Sequence, residues 1–333
     1  MSLDTAAEKP HERLSNALAT EMQAVNDLIR KRMASEHAPR IPEVTAHLVE
    51  AGGKRLRPML TLAAARICGY EGRYHLHLAA AVEFIHTATL LHDDVVDESD
   101  RRRGQPTANL LWDNKSSVLV GDYLLARSFQ LMVDTGMLRV LTILSNASAT
   151  IAEGEVLQLS AASNLQTDEA IYHQIIRGKT AALFSAAAEV GGVIAGAPED
   201  QIRALFIYGD ALGMAFQIVD DLLDYGGTSA TIGKNVGDDF RERKLTLPVI
   251  KAVARADETE RAFWSKVIEK GQQDEGDLDH AIALLSRHGA LDDTRRDALT
   301  WAETAKTALG ALPAGDFRDM LTDLADYVVA RVN

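Results

Sequence analysis

Asp93-Asp94-Val95-Val96-Asp97 and Asp220-Asp221-Leu222-Leu223-Asp224 repeat one acidic pattern, DDxxD, at two distant places in the chain. Each follows an apolar run, 84–91 in the first case and 211–219 in the second. Carboxylates beside such runs are unfavourable unless something neutralises them. On a helix, residues four apart share a face, so Asp93 and Asp97 project together while Asp94 turns about 100° away; Asp220 and Asp224 stand in the same relation to Asp221. Like charges at this spacing repel, and a helix C-terminus disfavours them further. A hard divalent cation relieves both penalties. Oxygen-only donors select Mg²⁺ or Mn²⁺ over zinc, and Mg²⁺ usually completes its shell with water and substrate phosphate. The pattern predicts two walls of one metal-dependent site for a polyanionic substrate, rather than two exposed acidic helix ends.

The basic residues are grouped as well, in Lys54-Arg55-x-Arg57 and in Arg101-Arg102-Arg103 directly after the first acidic motif. Such clusters can hold an anion, arginine by bidentate donation to phosphate oxygens. A second metal pattern, Glu83-x-x-His86, has the spacing used in carboxylate-bridged di-iron bundles. Those sites need a second copy on a partner helix. The only other instance, Glu8-x-x-His11, lies at an N-terminus expected to be flexible over residues 1–10, so the di-iron reading fails on count. His86 is better placed as a polar group one to two turns before Asp93.

Positioning these groups is a task for helices. The apolar period is helical over 11–34, 55–68, from Tyr74 to the first motif, and over 116–134, 137–162, 168–195 and 199–225. Ala38-Pro39-Arg40-Ile41-Pro42, Gly69, Gly136 and Gly196-Ala197-Pro198 mark breaks, and four shorter helices are expected in 245–332. The glycine-rich stretch from Gly226 to Asp239 reads as a flap beside the second motif. With 333 residues, 47% hydrophobic and only 5% aromatic, no alternating strand pattern and no linker, a single all-α bundle over 1–333 around a central cavity is the expected architecture. A formal charge of −13 argues against nucleic acid as a partner. The lone Cys68 fits a reducing compartment, no uninterrupted apolar stretch of membrane-spanning length is evident, and the N-terminus lacks a secretory layout, so a cytoplasmic location is expected.

Taken together these residues resemble the trans-isoprenyl diphosphate synthases, or polyprenyl synthetases. The likeness runs from Gly52-Gly53-Lys54-Arg55-Leu56-Arg57-Pro58 through DDVVDESDRRRG (93–104), Lys179-Thr180, FQIVDDLLDYGG (216–227) and KNVGDDFRERKLTLP (234–248) to the C-terminal helices. The resemblance implies that Asp93, Asp97 and Asp220 hold about three Mg²⁺ ions (Mn²⁺ able to substitute) that bridge the diphosphate of an allylic substrate. It implies that Asp94, Asp221 and Asp224 support that metal site. Arg102, Lys179, Lys234 and Lys244 would clamp the same diphosphate, and Lys54, Arg57, His86 and Arg103, with Arg55 beside them, would hold isopentenyl diphosphate without metal. Arg101 is dispensable to the motif. Thr180 and Gln217 match positions whose oxygens face the allylic cation, and Asp239 one near the metals. Ionisation, condensation and proton loss to the released diphosphate would follow, with flap closure excluding water.

Product length depends on where the growing tail meets a wall. Ala88 and Thr89, one turn before Asp93, are small where short-chain members of the family carry bulky aromatics. The next floor is expected on the 116–134 helix, from Phe129, Leu131 or Met132. FIHTATLLHDDVVDESD resembles the long-chain synthases that make quinone side chains, which implies eight to ten isoprene units, C40–C50. The rivals are a medium-chain, geranylgeranyl-type synthase, a terpene cyclase, and a non-catalytic regulatory subunit. Cyclases normally lack the isopentenyl-diphosphate cluster, and regulatory subunits typically lose a motif that this chain keeps. Family analogy implies a homodimer and transient membrane contact on product release.

Overall fold

The computed structural model describes residues 8–50, 53–102, 104–226 and 236–332. Arg103, Lys234 and most of the expected flap, 227–235, lie outside them, so their assigned places rest on sequence. Among the described residues the chain is helical apart from a two-residue antiparallel ladder pairing Arg101 with Pro106 and Arg102 with Gln105.

The helices are α1 (Pro10–Ala17), α2 (Ala19–Met33), α3 (Arg40–Glu50), α4 (Leu56–Ile67), α5 (Tyr74–Val96), α6 (Ala108–Leu111), α7 (Asn114–Val133), α8 (Leu138–Ala161), α9 (Glu169–Ile176), α10 (Ala182–Ile194) and α11 (Glu199–Gly226). They continue as α12 (Asp238–Arg241), α13 (Leu247–Arg255), α14 (Glu258–Trp264), α15 (Asp277–Arg287), α16 (Ala290–Ala308) and α17 (Asp316–Ala330). Most expected boundaries hold to within two residues. The C-terminal part has five helices where four were expected. The predicted 11–34 helix is interrupted at Leu18 (φ −105°, ψ 13°). The proline-flanked 39–42 stretch starts α3 instead of remaining a break, because proline is tolerated in a first helical turn whose N–H groups have no intrahelical partner. The predicted 168–195 helix is three pieces, α9, a π turn at Arg177–Ala181, and α10.

The centre of the bundle is α10, buried between α4 and α11, with α5 packed on α7 and α11 on α16. Helix α11 approaches α10 closely, since a Cβ on Gly209 would meet Ser185 Cα at 2.5 Å. By composition and length alone it would suit a bilayer, with charged residues such as Asp210 interrupting it as expected, but 67% of the relevant window is buried inside the bundle, as in a core helix. One core joins α1–α11 with α16 and α17, and a smaller one around Trp264, Phe240 and Tyr225 gathers α12–α15. Leu245 and Leu291 touch both cores.

Candidate active site

Helix α5 buries Leu78, Val82, Phe84 and Ile85 and runs out at Asp97, whose N–H donates to the Asp93 carbonyl at 2.8 Å. Its two last faces differ. Asp93 and Asp97 are half-buried, whereas Asp94 is fully buried. Burial, and next the neighbouring Glu155, push the Asp93 carboxyl up to about 7, while Lys179 and Arg102 pull it back. Asp94 Oδ1 accepts from Arg102, with Nε and Nη2 each at 2.8 Å, and its Oδ2 has no partner. The ladder at 101–106 holds the backbone that presents Arg102. Asp94 is therefore the seat of Arg102, turned away from the face shared by Asp93 and Asp97.

The second motif ends α11 with a similar division of labour. Asp220, its side chain 38% exposed, accepts at 3.0 Å from Arg331 just beyond α17. Asp221 is buried and receives the Tyr172 hydroxyl at 2.6 Å and the Gln217 amide N–H at 2.8 Å. Burial pushes the Asp221 carboxyl up to about 7 despite those two hydrogen bonds. Asp224 accepts the backbone N–H groups of Asp238 (3.2 Å) and Asp239 (3.1 Å), while its carbonyl accepts that of Gly237 (2.9 Å). It thus anchors the far end of the predicted flap and sets Asp239 beside the motif.

Lys179 and Thr180 sit on the π turn. This extra-wide turn is where α8 crosses glycine on glycine: a Cβ on Gly154 would meet Lys179 N at 2.8 Å, and one on Gly178 would meet Gly154 Cα at 3.0 Å. The close approach lets Lys179 Nζ donate to Glu155 at 2.9 Å, and the Thr180 hydroxyl donates to Gln217 Oε1 at 2.7 Å. Lys244 reaches the other motif, 3.8 Å from Asp97 and paired with Glu242. Lysines 179 and 244 therefore stand beside the carboxylates of the first motif, whereas the resemblance implied a clamp on the diphosphate from the side away from the metals.

The remaining cations gather separately. Lys54 Nζ lies 3.5 Å from the Tyr327 hydroxyl and 5.1 Å from its ring centroid. Arg57 stacks on Phe184, 4.3 Å from the ring centroid, with Nη1 3.4 Å from His86 Nε2. Arg55, in the left-handed region (φ 49°) at the start of α4, pairs with Glu83. The Glu83-x-x-His86 spacing thus serves two arginines of α4 instead of a metal, and Arg55 is committed to Glu83 rather than presented with Lys54 and Arg57. A cavity of about 460 Å³ bordered by Glu8, His11, Glu12, Gly53 and Lys54 opens beside Lys54.

Of the chain-length candidates, Ala88, Leu131 and Met132 are buried in the main core and Thr89 is half-buried. Phe129, on α7, is 38% exposed.

Among the described residues, no three acidic or histidine side chains are gathered closely enough to hold a metal ion. The donor chemistry still fits one. The two motifs present carboxylates only, and Asp93 is ionised with difficulty for want of a neighbouring cation strong enough to offset its burial. Glu155 and Tyr172 escaped the sequence reading. Glu155, directly after the glycine that admits the π turn, is its one recoverable signal; Tyr172 shows none.

The site agrees with what known proteins show. Residues 38–285 match the family description Polyprenyl synthetase. The octaprenyl diphosphate synthase of Escherichia coli (strain K12) is 43% identical over 320 residues, covering 96% of this chain and 98% of that one. Among solved structures, a decaprenyl diphosphate synthase from Rhodobacter capsulatus is 75% identical, covers 97% of this chain and 100% of its own, and superposes with a TM-score of 0.95. A polyprenyl synthase from Caulobacter crescentus, complexed with calcium and isoprenyl diphosphate, is 50% identical with a TM-score of 0.92, covering 97% of this chain and 98% of that one. Its all-α isoprenoid-synthase fold, its paired aspartate motifs and these relatives together make the chain a member of the polyprenyl synthetase family of prenyltransferases.

Proposed function

We propose that this long-chain polyprenyl diphosphate synthase extends an allylic diphosphate such as farnesyl diphosphate with isopentenyl diphosphate, to a C40–C50 product. The observation that carries the reading is the segregation of charge into two unlike halves. One half has carboxylates interleaved with cations: Asp93 near Lys179 and Arg102, Asp97 near Lys244, and Asp220 on Arg331. The other holds Lys54, and Arg57 with His86, away from both aspartate motifs and with Glu83 taken up by Arg55.

Asp93 and Asp97 on α5 and Asp220 on α11 would hold Mg²⁺, about three ions as the resemblance implies, with Mn²⁺ able to substitute. Bound there, the ions would neutralise the departing diphosphate. Asp94 orients Arg102 toward that diphosphate, Asp221 orients Gln217, and Asp224 secures the flap end, so these three support the site rather than coordinate. Lys179 and Lys244 clamp the same group, and Lys234 and Arg103 join on sequence grounds. Lys54, Arg57 and His86 retain isopentenyl diphosphate, with Arg57 held flat by Phe184 for bidentate donation. Thr180 and Gln217 turn oxygen atoms toward the developing allylic cation, where fixed dipoles in a dry pocket act strongly. The released diphosphate takes the proton, so no side-chain base is assigned.

A homodimer finds support in exposed apolar side chains along α7 and α8, with Leu119 66%, Val133 62%, Val156 64% and Leu159 57% exposed. A cytoplasmic enzyme that meets a membrane transiently to release its product fits a chain in which, among the described residues, the one helix of membrane-spanning length and composition is mostly buried in the core. The identity to octaprenyl synthase exceeds the 34% to a geranylgeranyl pyrophosphate synthase from Geoglobus acetivorans, which favours the longer product.

The test is incubation of the purified protein with labelled isopentenyl diphosphate, farnesyl diphosphate and Mg²⁺, with and without EDTA, followed by chromatography. C40–C50 products that vanish with EDTA support the reading. A C20 product favours the medium-chain alternative, and no elongation overturns it. Thr89→Phe should shorten the product while turnover survives; unchanged length would remove Thr89 from the tunnel.

A further inference from the structure

We infer that Tyr172 is a positioning residue that, through Asp221, fixes which end of the Gln217 amide faces Thr180. The inference rests on the reading that Thr180 and Gln217 face the reacting carbon. A side-chain amide has nearly the same shape either way round, so its neighbours decide where the donor and the acceptor point. Here both oxygens of Asp221 are taken by donors, Oδ2 by the Tyr172 hydroxyl at 2.6 Å and Oδ1 by Gln217 Nε2 at 2.8 Å. A carboxylate accepts only, so the amide nitrogen must face it. Gln217 Oε1 then faces Thr180, whose hydroxyl donates to it at 2.7 Å.

With Asp221 ionised, the direction of each hydrogen bond along Thr180–Gln217–Asp221 is thereby fixed. The Thr180 proton is consumed on Gln217, which leaves its oxygen with lone pairs alone to present. Were the amide inverted, Nε2 would donate to Thr180 and the hydroxyl proton would turn outward, presenting the positive end of the dipole. An allylic cation would be stabilised by the first arrangement and opposed by the second.

Tyr172 holds the arrangement from outside the pocket. It is 3% exposed, lies on α9 and anchors the side of Asp221 that Gln217 does not reach. Without its hydroxyl, Asp221 Oδ2 is buried and unpaired, and the carboxylate is free to turn, which releases Gln217. The start of α9 that positions Tyr172 is itself set by Asp168, whose side chain accepts the Ile171 N–H at 2.9 Å.

A buried tyrosine also needs a partner for packing reasons alone, so the test must separate orientation from stability. Single-turnover rates, KM for the allylic diphosphate and the Mg²⁺ concentration for half-activity are measured for wild type, Tyr172→Phe, Gln217→Leu and the double variant. The expected result is a loss of roughly 10–100-fold in rate for Tyr172→Phe, with KM and the Mg²⁺ requirement within about twofold. In the Gln217→Leu background the tyrosine substitution should add less than about twofold, because the group through which it acts is gone. Asp221→Asn, whose amide can donate to Gln217 and so permit inversion, should reproduce the rate loss, and it serves alone where the phenylalanine variant does not fold. Multiplying effects in the double variant, or a shift confined to the Mg²⁺ requirement, would overturn the inference. A wild type that elongates while the variants multiply overturns the relay alone; a wild type without elongation overturns the underlying reading as well.

Discussion

Replacing Asp93 by Asn separates what its charge does to the metal-free fold from what it does for turnover. Burial and Glu155 raise its carboxyl from 3.8 to about 7, so the folded protein binds this proton more tightly than the unfolded chain does. The stability that follows is fully present below the unfolded value and is lost as pH rises through about 7. By pH 8 the ionised side chain weighs against the fold by up to ~4 kcal/mol, the equivalent of ~3 pK units. Local relaxation and water entry reduce that to roughly 2–4 kcal/mol. Asparagine keeps the shape and removes the charge. In EDTA at pH 8 the variant should melt higher by roughly 3–6 °C for a chain of this length. At pH 5, only a little above the unfolded value of 3.8, the gap should shrink to less than half, and it should close below that value. Mg²⁺ with inorganic diphosphate should then stabilise wild type more than the variant, and metal-dependent turnover should fall by at least ~10²-fold in the variant. Differential scanning fluorimetry at the two pH values decides the matter: a variant that melts no higher at pH 8, or a gap as large at pH 5 as at pH 8, refutes the reasoning.

Arg102→Ala strands the fully buried Asp94 without its partner, and should destabilise the protein by about 3–5 kcal/mol in urea unfolding as well as lowering turnover; a loss of activity with unchanged stability would deny Asp94 its place as the seat of Arg102. Gly154→Ala puts a Cβ 2.8 Å from the Lys179 backbone nitrogen, which cannot yield as a side chain would. The displaced π turn should lower kcat roughly 10²-fold with the helical circular-dichroism signal intact. Arg331→Met removes a cation that competes with metal for Asp220, so the Mg²⁺ concentration for half-activity should fall by up to about fivefold, the scale of a partly exposed ion pair; a rise would make Arg331 a substrate ligand instead.

Both acidic motifs, the arginines after the first and most helix limits were legible because local signals carry them: residues four apart on one face, and glycine or proline at the ends. What stayed hidden depends on contacts between distant segments. The π turn at Arg177–Ala181 looks like uninterrupted helix in the periodicity of 168–195, and only the crossing of Gly178 on Gly154 shows why the turn widens. Tyr172 meets Asp221 across 49 residues, and Glu155 meets Lys179 across 24, so neither belongs to any local pattern. Asp94, Asp221 and Asp224 are identical in type to their motif partners. Only the buried surroundings show that one seats an arginine, one takes a tyrosine and a glutamine, and one holds a backbone turn.

The counter-charges also bear on the order in which the site assembles. The three carboxylates left over, Asp93, Asp97 and Asp220, are those that face Lys179, Lys244 and Arg331, and no three acids among the described residues converge on one point. A protein that built a complete cage beforehand would bear the mutual repulsion of three or more carboxylates, and helix ends add to it. Holding them apart on internal cations avoids that penalty in the free enzyme. It would also leave part of a bound ion's oxygen shell for a diphosphate to supply, in keeping with the reluctance of Mg²⁺ to accept an all-protein cage. On this argument metal and allylic diphosphate bind with mutual reinforcement. Calorimetric titration of Mg²⁺ should therefore show weak binding to the free protein and markedly tighter binding once inorganic diphosphate is present, and equal affinity in the two cases would refute it.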